Sequence, residues 1–291
     1  MTTIAIIAQG EMGAATGRLL NAHGARVLTS LKGRSAASVA RAEGAGMTPV
    51  DSDDALLAAD FFLSIVPPGK AISLAKQLCP ALTRAHRKPI YVDCNAIAPE
   101  TAERVGAVLA DTGCAYVDAG IIGPPPAAGH RTIFYACGPA ARELDKLSDC
   151  GLTVRLLDGP IGSASALKMS YGGITKGFTA IGAAMMLGST RAGCAQALHR
   201  ELAESQPELL GWLTRQIPKM YSKAYRWVAE MEEISAFLAG NPPADDMYED
   251  IARFYQRIAT VHAAPRASDD ELARLTHFCT DAVHAPKLKR A

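Results

Sequence analysis

Up to about residue 158, short apolar runs alternate with helix-forming stretches separated by turn residues, and after Gly159 no strand-like alternation recurs. Neighbouring parallel strands need a long crossover between them, so this spacing reads as a parallel sheet covered by helices. The expected strands are 4–8, 26–29, 48–50, 61–66, 90–93, 116–121, 133–136 and 154–157, the first six in doubly wound order and the last two extending the sheet. In the second half, Ser163 reads as the N-cap of a long helix running towards Leu187, followed by helices over 195–205, 207–217, 219–238, 246–259 and 269–282. The expected class is α/β: a Rossmann-type doubly wound sheet over residues 1–160, then an all-helical C-terminal domain over 161–291.

Composition narrows the function by exclusion. A chain of 291 residues, 49% hydrophobic and 20% charged, can bury a sizeable core. Its formal net charge of +1 provides no field for nucleic acid. Seven scattered cysteines without a CxxC pair read as reduced packing residues, and seven histidines without ligand spacing argue against a metal site. No Gly-x-Ser-x-Gly elbow follows a strand. The start of the chain lacks a basic region and a long apolar run, so the expected compartment is the cytoplasm. The most membrane-like stretch, 177–188, falls short of the roughly 20 residues of a bilayer span and reads as a buried helix. The basic run 287–290 reads as a frayed terminus.

The first strand runs into Ala8-Gln9-Gly10-Glu11-Met12-Gly13 and then a helix. A strand, a glycine turn and a helix start grip a dinucleotide pyrophosphate, because the glycine admits the phosphates and the first helical N–H groups carry partial positive charge. Ala8 stands where a first glycine is usual, and an ordinary helix start with small residues is the alternative. An NAD site places an acidic residue about 20 residues on, against the ribose hydroxyl; between Gly13 and Glu43 there is none. The second strand instead runs into Ser30, Leu31, Lys32, Gly33, Arg34 and Ser35. Cations and hydroxyls suit a 2′-phosphate. The expected cofactor is therefore NADP(H), with Gln9, Gly10, Glu11, Met12 and Gly13 at the pyrophosphate and Ser30, Arg34 and Ser35 at the 2′-phosphate; a solvated basic loop is the alternative.

Lys168 is the only charged residue between Gly159 and Thr175. A helical lysine in such surroundings either snorkels to water or stays buried as a base near neutrality. Tyr171 and Thr175 share its helix face, at i+3 and i+7. The small-residue helix stretch 172–188 invites close approach by another helix, within the chain or from a second subunit.

On Gly10-Glu11-Met12-Gly13, Ser64-Ile65-Val66-Pro67-Pro68, Asp93-Cys94-Asn95-Ala96-Ile97-Ala98-Pro99, Asp118-Ala119-Gly120-Ile121-Ile122-Gly123-Pro124 and 159–168, the chain resembles the 6-phosphogluconate dehydrogenase-like, or beta-hydroxyacid dehydrogenase, superfamily. Arg226-Trp227 through Glu230-Met231 resembles the signature of its branch with a C-terminal domain of unknown function. The resemblance implies an NADP-linked secondary alcohol or hydroxy acid dehydrogenase, with Lys168 as acid/base and Val66, Pro67, Pro68 and Asn95 lining the cofactor cleft. It also implies a homodimer.

Two departures bear on the substrate. Ile122-Gly123-Pro124 stands where those enzymes have Ser-Gly-Gly, and Tyr171-Gly172 where they have an Asn pair. Ile122, Gly123, Tyr171 and Thr175 are the candidate substrate residues, for a small molecule larger or more apolar than a 3-hydroxy acid; Tyr225 and Trp227 are further candidates. Two other readings stand beside this one: an imine reductase, a class that generally lacks the lysine, and a catalytically idle NADPH-binding protein.

Overall fold

The structure, a computed structural model, describes residues 1–264 and 271–284, the last four of these by backbone alone. The basic run 287–290 and the expected start of a helix at Asp269 lie outside the described residues.

Eight strands form one sheet: β1 (Thr3–Ile7), β2 (Arg26–Thr29), β3 (Thr48–Pro49), β4 (Phe61–Ser64), β5 (Ile90–Asp93), β6 (Tyr116–Ile122), β7 (Ile133–Cys137) and β8 (Val154–Leu156). Their order is β3-β2-β1-β4-β5-β6-β7-β8, and every pairing is parallel except β6 with β7. The chain is thus α/β with a Rossmann-type doubly wound sheet.

Strands buried on both faces need apolar residues at successive positions. Phe61–Ser64 is buried throughout, with Phe61 and Leu63 in one core and Phe62 in the other. On the second face Phe62, Tyr91 and Tyr116 lie side by side in register, with ring centroids 5.0 Å and 6.1 Å apart. The next row on that face, Ser64, Asp93, Asp118 and Cys137, is polar and equally buried. It lies at the ends of β4 and β5, the edge where ligands of open α/β sheets sit.

The second half is helical: Ser163–Arg191, Ala195–Ser205, Pro207–Met220, Ala224–Phe237, Ala244–Ala263 and Glu271–His284. The stretch 219–238, expected as a single helix, is divided between two. The preceding helix runs through Pro218 to Met220, a turn follows in which Lys223 N–H bonds the Met220 carbonyl at 2.8 Å, and a new helix begins at Ala224. A late proline loses one helical hydrogen bond without ending the helix at once, and the fully buried Met220 anchors that last turn.

Two compact units divide the chain, Met1–Ser170 and Tyr171–Ala291, and the division falls inside the long helix. In the second unit Lys176 pairs with Glu230 and lies 5.6 Å from the Trp227 ring centroid, while Tyr255 donates from its hydroxyl to the Lys176 carbonyl at 2.6 Å. Among the described residues no helix is long and apolar enough to cross a membrane.

Candidate functional site

Gly10 is the N-cap of helix Glu11–Ala22, and as a glycine it brings no side chain of its own to that start. A Cβ on Gly10 would meet nothing within 4 Å, and its φ of −70° suits any residue, so neither packing nor backbone demands glycine here. The space in front of this helix start is open, and a helix N-terminus of this kind suits an anion such as a pyrophosphate. Gly13 has a different reason: a Cβ there would overlap the Ala8 carbonyl. One turn on, a Cβ at Gly17 would lie 3.1 Å from Met47, so the missing side chain lets the helix settle on the core.

Gln9 ties this turn to the β2 exit. Its buried side chain donates from Nε2 to Thr29 Oγ1 and to the Ser30 carbonyl at 2.9 Å, and its Oε1 is buried without a partner. Arg34 is exposed in the loop that follows. Ser35 is the N-cap of helix Ala36–Gly44, accepting from the Ser38 N–H. Two residues that sequence reasoning missed complete this group. Arg41 donates from Nε to the Gln9 carbonyl at 2.9 Å and from Nη2 to Ser38 Oγ at 3.0 Å. The available signal was their i, i+3 spacing on a helix that starts directly after the basic loop.

Asn95 joins the exits of β4 and β5: it donates from Nδ2 to Ser64 Oγ at 2.8 Å and accepts at Oδ1 from the Val66 N–H at 2.6 Å. Val66, Pro67 and Pro68 follow β4, and the Ala8 N–H bonds the Ile65 carbonyl at 3.0 Å, so the β1 and β4 exits are tied as well. The exits of β1, β4 and β5 are thus tied into one hydrogen-bonded edge.

Behind that edge are two carboxyl groups on neighbouring strands. Asp93 is pushed up from 3.8 to about 7, by burial above all, with the charge of Asp118 adding to it and hydrogen bonding from Asn95 opposing it. Asp118 accepts at Oδ2 from the N–H groups of Gly162, Ala164 and Ser165 at 3.0, 3.1 and 3.0 Å and from the Cys137 thiol at 3.2 Å; Oδ1 accepts from Ser165 Oγ at 2.7 Å. Burial raises the Cys137 thiol to about 12, so it is a packing and donor group. The acceptor that caps the long helix is therefore Asp118, and Ser163, the expected cap, is its first helical residue.

Lys168 stands one turn into this helix, half-buried, and donates from Nζ to the Ile121 carbonyl at 2.6 Å. A Cβ at Gly120 would lie 2.8 Å from the Ala164 carbonyl oxygen and 3.1 Å from Lys168 Cβ. Only glycine at 120 lets helix and strand lie this close. Ile122 ends β6, and Gly123 follows at φ +120°, where a Cβ would overlap the Arg131 carbonyl.

Further along the helix, Thr175 turns its hydroxyl back to the Tyr171 carbonyl at 2.8 Å. Tyr171 is half exposed and begins a stripe of exposed apolar residues with Ile174, Phe178, Ile181 and Met185. Tyr225 is exposed, whereas Trp227 packs edge-on against Tyr255 at 5.1 Å.

The family model described as the NAD binding domain of 6-phosphogluconate dehydrogenase matches residues 3–150, and a domain of unknown function, DUF1932, matches residues 190–258. Among solved structures, the conserved protein MTH1747, of unknown function and described as structurally similar to 3-hydroxyacid dehydrogenases, is 26% identical with a TM-score of 0.67, over 90% of this chain and 99% of that one. A 3-hydroxyisobutyrate dehydrogenase from Mycobacterium tuberculosis, solved with L-serine, has TM-score 0.68 at 19% identity over 95% and 99%. An imine reductase from Myxococcus stipitatus in complex with NADP+ has TM-score 0.52 at 18% identity over 96% and 99%. None of the curated proteins matches the chain.

Proposed function

This chain belongs to the family of the NAD binding domain of 6-phosphogluconate dehydrogenase, and from that premise we propose that it is a cytoplasmic NADP(H)-dependent oxidoreductase interconverting a secondary alcohol or hydroxy acid and its ketone, with Lys168 as acid/base. The observation that carries the reading is Lys168 anchored at the end of β6, its Nζ 2.6 Å from the Ile121 carbonyl. The seven unpaired cysteines accord with a reducing compartment.

In this reading the backbone at 10–13 receives the pyrophosphate, and Arg34, Ser35, Ser38 and Arg41 form the 2′-phosphate side. Val66, Pro67, Pro68 and Asn95 line the cofactor cleft. NADP(H), when bound, supplies or accepts a hydride at the substrate carbon. Lys168, as the neutral amine, takes the hydroxyl proton while the C–O bond becomes a carbonyl; in the other direction its ammonium returns that proton to the oxygen. General acid–base help of this kind contributes about 10²- to 10⁴-fold. Ile122 and Gly123, with Tyr171 and Thr175 on the helix, are assigned to the substrate, and residues 161–291 to substrate binding and dimerisation.

A homodimer belongs to the same proposal. Tyr171, Ile174, Phe178, Ile181 and Met185 recur at alternating steps of three and four, the seam of a helix that packs against another. That stripe has no charge on it and is 49% to 61% exposed.

The deciding experiment follows reduced-nicotinamide absorbance over alcohols, hydroxy acids, ketones and cyclic imines with NADP(H) and NAD(H), comparing wild type with Lys168→Ala. Turnover that falls at least 100-fold in the variant, with cofactor binding intact, is the expected result. Equal imine reduction by both proteins would replace this reading with the imine reductase one, and tight NADPH binding without any turnover would favour the idle binding protein.

A further inference from the structure

We infer that Asp118 is the positioning residue for Lys168: its buried carboxylate fixes the start of helix Ser163–Arg191 against β6 and thereby sets where the lysine amine stands. The inference rests on the reading of Lys168 as acid/base.

A capping side chain ordinarily satisfies one helical N–H. Asp118 accepts from three backbone N–H groups, a hydroxyl and a thiol, all within 3.2 Å and all buried. It reaches the helix from a strand 44 to 47 residues earlier in the chain, so its effect is to join two elements that local sequence does not join. Ser165, bonded through both its N–H and its hydroxyl, is less than one turn before Lys168, about 4.5 Å along the axis. Over so short a length of helix, displacement at Ser165 carries directly to Lys168.

Two further contacts define the same interface. Gly120 admits the Ala164 carbonyl and Lys168 Cβ at distances that no side chain would allow, and the Ile121 carbonyl takes the Nζ hydrogen bond at 2.6 Å. Positions 118, 120 and 121 of one strand therefore hold positions 164, 165 and 168 of one helix. Of these strand residues only Asp118 makes its contact through a side chain, and its charge faces the positive end of the helix dipole.

The test is a double-mutant cycle with Asp118→Asn and Lys168→Ala, reading kcat, KM, NADPH Kd and melting temperature. Asp118→Asn keeps the shape and one acceptor oxygen but removes the charge. The expected result is a tenfold to hundredfold loss of kcat, with KM and Kd within about twofold. In the Lys168→Ala background the same substitution is expected to cost less than twofold, because its effect passes through the lysine. Leu147→Ala, a buried residue that makes none of these contacts, serves as a control for lost stability. A readout without cofactor or substrate accompanies these: acylation of Lys168 by acetic anhydride, in which Nζ takes the acetyl group and acetate leaves, followed by peptide mass spectrometry, should accelerate severalfold in Asp118→Asn as Nζ leaves the Ile121 carbonyl.

If Asp118→Asn lowers only the melting temperature, or lowers kcat equally in both backgrounds, the inference is overturned. If Lys168→Ala retains full kcat, the acid/base reading falls instead, while the acylation rate still reports on the clamp. Should Asp118→Asn fail to fold, Ser165→Ala removes one of the five bonds and should show the same pattern at a few-fold scale; an unchanged acylation rate there would also overturn the inference.

Discussion

Replacing Asp93 by Asn should stabilise the protein, and increasingly so as pH rises. The Asp93 carboxyl is buried, its Oδ1 accepts from the Asn95 N–H at 3.0 Å, and its Oδ2 lacks a hydrogen-bond partner. Burial raises it from 3.8 to about 7, so between those values the folded chain holds a proton that the unfolded chain has released. Stability is then fully present below about pH 4 and is lost as pH rises through about 7. Three pKa units correspond to about 4 kcal/mol, of which roughly 2 to 3 fall between pH 5 and pH 8. The amide has the same shape, keeps the acceptor for Asn95 and has no charge to desolvate. Urea unfolding of both proteins at pH 5, 6, 7 and 8 isolates this effect, because titrating groups that are not coupled to Asp93 cancel in the difference. A difference that stays flat with pH, or a variant that loses ground as pH rises, would refute the assignment.

Three further outcomes are expected. Arg34→Ala should weaken NADPH binding about 10- to 100-fold, as for a lost charge-assisted hydrogen bond, and leave NADH binding nearly unchanged; equal losses measured by calorimetry would remove the 2′-phosphate assignment. Gly120→Ala forces a Cβ to within 2.8 Å of the Ala164 carbonyl, so unfolding should show a loss of about 1 to 3 kcal/mol together with lower kcat; a neutral result would mean that helix and strand are not held so closely. Phe178→Glu places a charge in the exposed apolar stripe and should convert a dimer to monomer in sedimentation equilibrium at micromolar concentration; a wild type that is already monomeric would end the dimer proposal.

The strands were legible because period and spacing carry them: the sheet follows the expected order, and the ends differ by a few residues at most. Lys168 stands out in the sequence because it is the one charge in an apolar stretch. Asp118 could not be assigned its role, since the groups it binds are remote in sequence and nothing local marks a strand carboxylate as the cap of a later helix. Arg41 was missed for the opposite reason. The loop signal ended at Ser35, and a helical arginine reads as solvated until its hydrogen bond to the Gln9 carbonyl is seen. Trp227 illustrates a third limit, as large aromatics suit a pocket and a core alike. Here the ring packs on Tyr255 beside Lys176.

The antiparallel pairing of β7 with β6 has an evolutionary consequence. Every other connection in the sheet must cross from one end of a strand to the other, whereas the segment 123–132 leaves and re-enters at a single end, beside the Ile121 carbonyl that holds the lysine. Its shape is set locally, by Gly123, by three successive prolines, and by the Thr132 hydroxyl donating to the Pro124 carbonyl at 2.6 Å. Insertions here leave strand register intact, and doubling the loop costs only about 0.6 kcal/mol in closure entropy. Descendants of this chain can therefore lengthen, shorten or rewrite the segment next to Lys168 while inheriting the sheet unchanged, which makes it the cheapest place for new substrate preferences to arise.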